Sequence, residues 1–258
     1  MIAPDRAHRP GVGRGRIEEP TREELDGCPF CGGREDRTPP ETLHLGEPWR
    51  VRVVPNLYPA LERQEVVIHS REHKRSFAEL DDGEVELVAE AWTQRRDAQP
   101  EGYLHAIVNE GREAGASLAH SHSQLVWLPE TPPAVVEETG LWKPSTSTGV
   151  ASFRNVSAVC SPAGRVPYEL LIGSASPGDA FGADLPPALV LLRNVIRRLR
   201  AVEGPVPWNA WLHVRAEDWH IEVLPRLTVL AGLELGAGVF VNPLPPETAA
   251  KRLRAASS

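Results

Sequence analysis

Short runs in which β-branched and apolar residues alternate with polar ones recur along this chain, broken by proline and glycine and separated by longer stretches of helical spacing. Residues 50–54 and 65–68 are such runs, divided by Pro55 and Pro59, and predict two strands joined by a loop. Asp81 or Asp82 then caps a helix reaching about residue 98, with Val85, Val88 and Trp92 on one buried face. Residues 103–108 read as a strand, 109–119 as a glycine-rich loop and 120–128 as a further strand. The order recurs: strands at 156–160 and 168–172, an amphipathic helix at 185–202, strands at 210–214 and 219–224. Local wording repeats too, EVVIHS at 65–70 against ELLIGS at 169–174. The expected fold is α+β, a duplicated unit in which each copy is a strongly bent antiparallel sheet carrying one long helix. Its expected domains are 1–130 and 149–258, joined by a linker at 131–148 rich in Pro, Ser and Thr. Residues 1–27 read as an extended arm with order beginning near Cys28, and 245–256 as a terminal helix with Lys251, Arg252 and Arg254 toward its end.

With 258 residues, 41% of them hydrophobic, the chain has enough apolar surface for a substantial core. No apolar run reaches the length of a membrane span, and the first residues lack a signal-peptide stretch, so a cytoplasmic enzyme is expected, with no membrane partner. A formal charge of -7 argues against nucleic acid as a partner, because backbone binders present a basic face. Any phosphate must therefore be handled locally. On charge alone the basic run Arg6, His8, Arg9, Arg14 and Arg16 reads as a solvated tail.

His120, His122 and Gln124 alternate with Ser121 and Ser123, which on a strand places two imidazoles and an amide on one face. The preceding GREAGAS at 111–117 offers small residues, backbone N–H groups and the Ser117 hydroxyl to phosphate oxygens. A neutral imidazole beside a phosphate cradle suits nucleophilic attack on phosphorus through a covalent nucleotidyl-histidine. An amide at 124 donates to a phosphoryl oxygen without serving as a general acid, which suits a transferase better than a hydrolase. Of three cysteines, Cys28 and Cys31 form a CxxC, and Cys160 reads as a buried thiol. A zinc site built on the CxxC needs two further ligands, drawn from His44, His69, His73, His105, His120 or carboxylates. Spacing does not choose among them. A redox pair is the alternative, although Pro29, Phe30, Gly32 and Gly33 favour a zinc knuckle.

Several segments, in order, resemble galactose-1-phosphate uridylyltransferase, a two-domain member of the histidine-triad superfamily: APDRAHRP at 3–10, CPFC at 28–31, VVPNLYPAL at 53–61, the stretch ending in His73, VNEGREAGASLAHSHSQLVW at 108–127 and GLELGAGVFVNPLPPETAAKRLR at 232–254. The resemblance implies histidine-triad-like units and a zinc held by Cys28, Cys31, His73 and His120. It implies a nucleophile at His122, with Gln124 as its catalytic companion, and substrate contacts at Arg6, Arg9, Asn56, Asn109, Ser117 and Glu234. The arginines thereby acquire a phosphate-binding role in place of a plain solvated tail. The activity implied is ping-pong transfer of UMP between UDP-glucose and galactose 1-phosphate, in a homodimer whose sites borrow residues across the interface.

The departures carry information. At the family's second metal site, HxH reads His220, Ile221, Glu222, with no clear third ligand, so one metal is expected. Leu233 stands where the sugar-phosphate segment has tyrosine, and a nearby lysine and phenylalanine lack counterparts. HSHSQ in place of HPHGQ, together with GLELGAGVFVNP, is closer to a plant branch acting as ADP-glucose phosphorylase, making adenylyl transfer the alternative. A nucleotide-sugar-binding protein without catalysis is a further alternative. The family also starts with a strand bearing a DPLTG-like turn, so either that strand is absent here or the natural protein is longer than 28.3 kDa.

Overall fold

The computed structural model describes residues 1–4, 17–138, 145–175, 179–215 and 218–256. Arg6 and Arg9 lie outside the described residues, as do His8, Arg14 and Arg16. The first half contains α1 (Arg22–Gly27), β1 (Leu43–Leu45), β2 (Val51–Pro55), β3 (Gln64–Ile68), α2 (Asp82–Ala98), β4 (Tyr103–Glu110) and β5 (His122–Leu128). After α3 (Pro133–Val136) come β6 (Gly149–Phe153), β7 (Val156–Cys160), β8 (Leu170–Ser174), α4 (Leu185–Glu203), β9 (Trp208–Val214), β10 (Trp219–Pro225), α5 (Gly232–Ala237) and α6 (Pro246–Ala255).

Among the described residues ten strands form one antiparallel sheet in the order β1-β2-β3-β5-β4-β9-β10-β8-β7-β6. Read outward from the central β4–β9 pair, the left half runs β4-β5-β3-β2-β1 and the right half β9-β10-β8-β7-β6. The two orders correspond strand for strand. EVVIHS falls on β3 and ELLIGS on its counterpart β8, so the repeated wording marks a repeated structure.

Each half contributes one long helix to the same face of the sheet. The first is α2, which begins in a reciprocal cap: the Asp81 carboxylate accepts the Glu84 N–H at 2.7 Å while Glu84 accepts the Asp81 N–H at 2.8 Å. Val85, Val88 and Trp92 are buried as expected. The second, α4, ends at Gly204, whose φ of +82° takes the chain out of the helix. A single apolar core runs beneath both helices, joining Val67, Trp92 and Leu125 of the first half to Ile172, Leu192 and Leu212 of the second.

Strand alternation puts the chemistry on the opposite face. Ile68 pairs with His122 and Val66 with Gln124, while the intervening Val67 and Ser123 point to the helices. A smaller apolar cluster of Cys28, Phe30, Val54, Val66 and Ile68 seats the CxxC segment on this second face. Three local expectations are corrected. Order before Cys28 includes a short helix, α1, capped by Thr21 Oγ1 accepting from Glu24 N at 3.1 Å. The strand expected at 120–128 starts at His122, because the preceding Ser121 N–H turns to the Lys74 carbonyl at 2.7 Å. Edge strands β1 and β6 were not anticipated.

Candidate active site

Two sulfurs and two ring nitrogens converge where the CxxC segment meets the start of β5. Cys28, Cys31, His73 and His120 bring their donor atoms within 4.8 Å of one another. Cys28 Sγ lies 3.5 Å from His120 Nδ1, and Cys31 Sγ lies 3.3 Å from His73 Nδ1 and 3.8 Å from His120 Nδ1. The sulfur–nitrogen edge of a tetrahedral zinc site is about 3.5 Å, given ordinary Zn–S and Zn–N bonds. Burial, with the neighbouring Cys28 adding to it, pushes the Cys31 thiol up to about 11, a cost that a bound cation relieves. Both imidazoles turn Nδ1 inward, because each Nε2–H is taken elsewhere: His73 donates to Glu24 Oε1 at 3.0 Å, His120 to the Ser70 carbonyl at 2.9 Å. The donor set fits zinc. The other candidate ligands sit apart: His44 is exposed between Glu41 and Glu47, His105 packs against His213, and His69 lies behind β5.

Two residues on, His122 is buried, with Phe30 packed edge-on to its ring at 5.5 Å. Its Nδ1–H donates to the His120 carbonyl at 2.7 Å, leaving Nε2 with the lone pair. Burial pushes this imidazole below its ordinary range, only partly opposed by that carbonyl. Gln124 is oriented by Gln64, whose Oε1 accepts from Ala60 N at 2.8 Å and whose Nε2 donates to Gln124 Oε1 at 2.6 Å. The Gln124 amide N–H groups are thus the donors left for a ligand.

The glycine-rich loop leaves β4 at Gly111 (φ +86°), makes one tight turn over Arg112–Ala114, and exits through Gly115 (φ +88°). Positive φ suits glycine at both, and a Cβ at 111 would come within 2.8 Å of Pro207. Gly115, Ala116 and Ser117 line a cavity of about 780 Å³ that also meets His73, Arg75 and Arg112. A small adjoining cavity brings Asn109, Gly111 and Arg75 beside His122.

The structure therefore gathers His122, Asn109, Ser117 and the Cys28, Cys31, His73 and His120 cluster at one place. Asn56 is elsewhere on this side, at the end of β2, its Oδ1 accepting from Tyr58 N at 2.9 Å ahead of exposed Leu57 and Tyr58. Glu234, on α5, accepts from Ala231 N at 3.0 Å and lines neither cavity.

Sequence reasoning missed Asn209, whose Nδ2 donates to Asn109 Oδ1 and to the Ala114 carbonyl, both at 2.7 Å. No motif flags a lone asparagine; only the pairing of β4 with β9 brings it opposite Asn109. Glu24 and Arg75 were missed because no motif holds them and only the packing of α1 against residues 73–75 brings them together. The expectation that His220 and Glu222 lack further ligands is corrected: with Glu138 and His213 they form a second cluster whose donors lie within 4.8 Å. His213 arrives through the β9–β10 register, directly opposite His220. Glu138 comes from beyond α3, inside the expected linker, and accepts from His213 Nδ1 at 3.0 Å. Burial would raise the Glu138 carboxyl, yet the two imidazoles hold it at about 2. Glu222 is already ion-paired with Arg165.

An antiparallel sheet with one long helix per half, and a buried histidine whose Nε2 is kept available beside a glycine-rich loop, define a histidine-triad-like nucleotidyltransferase. The family model for the N-terminal domain of galactose-1-phosphate uridyl transferase matches residues 56–132. A galactose-1-phosphate uridylyltransferase from Streptomyces lividans is 30% identical, with 93% of this chain and 81% of that protein aligned. The chain belongs to the galactose-1-phosphate uridylyltransferase family. An ADP-glucose phosphorylase from Arabidopsis thaliana is 27% identical over 100% of this chain and 90% of that one. The crystal structure of an Arabidopsis thaliana ADP-glucose phosphorylase with bound ADP-glucose superposes with a TM-score of 0.82 at 26% identity, covering 100% of this chain and 95% of that one. Among the described residues no helix is long and apolar enough to cross a membrane.

Proposed function

We propose that the protein moves a nucleotidyl group from a nucleotide sugar to a phosphorylated acceptor or phosphate, through a covalent intermediate on His122. The observation carrying this reading is the arrested tautomer: His122 Nδ1–H is committed to the His120 carbonyl at 2.7 Å, and Nε2 is the nucleophilic atom. Nε2 attacks the phosphorus that bears the nucleoside. A P–N bond forms, the P–O bond to the bridging oxygen breaks, and that oxygen keeps the electron pair as sugar 1-phosphate departs. An oxygen of the acceptor then attacks the same phosphorus, and the P–N bond breaks with its pair returning to Nε2. Gln124 N–H, the loop amides and Ser117 bind the non-bridging oxygens and stabilise their growing charge.

Zinc on Cys28, Cys31, His73 and His120 is structural in this reading, since four protein ligands leave no open position. Bound there, it would fix the CxxC segment against β5. The second cluster suits a divalent cation in its donors, but Arg165 already neutralises Glu222, so binding there is weaker. The partner subunit of a homodimer would complete the substrate site, because Glu234 lines neither cavity within its own chain.

For the nucleotide, likeness to ADP-glucose phosphorylase along the whole chain supports AMP as the transferred group and inorganic phosphate as acceptor. Leu233 and the altered sugar-phosphate segment point the same way. UMP transfer from UDP-glucose to galactose 1-phosphate is the second reading, supported by the Streptomyces lividans relative. His122→Ala should lose turnover by several orders of magnitude while zinc content stays that of the unmodified protein. Substantial residual turnover would remove His122 from the mechanism.

A further inference from the structure

Glu24 belongs to none of the motifs above, yet it touches both the metal cluster and the phosphate side of the site. Its carbonyl accepts the Cys28 N–H at 3.0 Å, so it is tied through the backbone to one metal ligand. Its carboxylate accepts the His73 Nε2–H at 3.0 Å, so it is tied through the side chain to another. The same carboxylate takes a two-point contact from Arg75, Nε to Oε1 at 2.8 Å and NH2 to Oε2 at 3.1 Å. Arg75 in turn lines both the large cavity beside the glycine-rich loop and the small one beside His122. All three side chains are largely withdrawn from water, with 25% exposure for Glu24, 11% for His73 and 17% for Arg75.

A carboxylate behind a metal-bound imidazole fixes the ring's tautomer and rotation and makes the opposite nitrogen a better donor. His120 receives the same service from a neutral backbone carbonyl, at Ser70, so an uncharged acceptor suffices to hold a ligating ring in place. The carboxylate also anchors the Arg75 guanidinium, whose other arm is held by the Glu18 carbonyl, so Glu24 supplies the charged half of its seating. We propose that Glu24 is a positioning residue with two outputs: it holds zinc through His73, and it holds Arg75 where it can meet a substrate phosphate. The proposal rests on the zinc reading of the Cys28, Cys31, His73, His120 cluster. It makes a structural metal part of the frame that aims a cation at the reacting group.

The two outputs separate chemically. Glu24→Gln keeps an oxygen to accept from His73 but loses the charge that pairs with Arg75, whereas Glu24→Ala loses both. The test follows zinc release from the holoprotein to an excess of a coloured chelator, alongside KM for the nucleotide sugar. Glu24→Ala should release zinc about 10- to 100-fold faster than the unmodified protein. Glu24→Gln and Arg75→Met should release it at nearly the unmodified rate, and both should raise KM. Zinc release from Glu24→Ala at the unmodified rate overturns the proposal, and so does an unchanged KM in Glu24→Gln. If Glu24→Ala fails to fold, the split between zinc release and KM in Glu24→Gln still decides. An unmodified protein that neither contains nor takes up zinc defeats the metal reading itself, a result distinct from either of these.

Discussion

Asn209 illustrates how one side chain can set a site that its own sequence neighbourhood does not announce. Its amide spans the gap between β4 and the glycine-rich loop, donating to Asn109 and to the Ala114 carbonyl. Removing it frees Asn109 to rotate and unpins the loop at one point. A lost hydrogen bond of this kind is worth about 1 to 1.5 kcal/mol, so Asn209→Ala should raise KM for the nucleotide sugar about tenfold and change kcat much less. Steady-state kinetics checks this, and a drop confined to kcat would contradict it. Glu110 shows a different residue-scale effect. Fully buried at the end of β4, it accepts from Ser76 Oγ at 2.7 Å and Phe77 N at 2.9 Å, and burial lifts its carboxyl to about 7 from an ordinary 4.5. The unfolded chain therefore releases this proton at lower pH than the folded one, and stability falls as pH rises between those values, then levels off. Glu110→Gln keeps an acceptor and does not ionise. Its melting temperature relative to the unmodified protein should increase across that window, and a constant difference from pH 4.5 to 7 would show the carboxyl is not shifted.

At the scale of elements, β5 is held from both faces. On the helix face His69 is fully buried, contacting Ser121 Oγ through Nδ1 and Ser123 Oγ through Nε2, both at 2.9 Å, while Trp92 Nε1 donates to Ser123 at 2.9 Å. The serines that separate the site residues thus anchor their strand. Ser123→Ala leaves buried groups on His69 and Trp92 without a partner and should destabilise the fold by about 1 to 3 kcal/mol, measured by denaturant unfolding. A change near zero would mean the network contributes nothing. Elements of this kind were legible where periodicity is strong: β2, β3, α2, α4, β9 and β10 follow from alternating or helical apolar spacing. The misses have physical reasons. LHL of β1 and GVASF of β6 are short edge strands that bury little, and REELDG of α1 has no apolar face, being set by its Thr21 cap and by Arg75 and His73 packed against Glu24. Within the site, HSHSQ and CPFC were readable because local spacing alone places their side chains. Glu24, Glu138, Asn209 and His213 were not, because each reaches its partners only through strand pairing or a distant loop, which a linear pattern does not encode.

For the whole molecule, duplication has been turned to unequal use. The two halves share strand order and one core, and they place their ionisable clusters on the same face, yet among the described residues only the first half combines a glycine-rich loop with a histidine whose Nε2 is available. In the second half the corresponding strand β10 carries His220 and Glu222, drawn into a buried set with Glu138 and Arg165. We propose that catalysis belongs to the first half and a supporting role to the second. The central claim is a covalent nucleotide on His122. Its most direct measurement is intact-protein mass spectrometry after mixing the zinc-loaded protein separately with ADP-glucose and UDP-glucose, beside His122→Ala. The account predicts a gain of one AMP from ADP-glucose, absent in the variant; a gain of one UMP from UDP-glucose would keep the mechanism and move the specificity. No mass gain from either nucleotide sugar in the fully zinc-loaded protein, or an adduct that persists in His122→Ala, would contradict it.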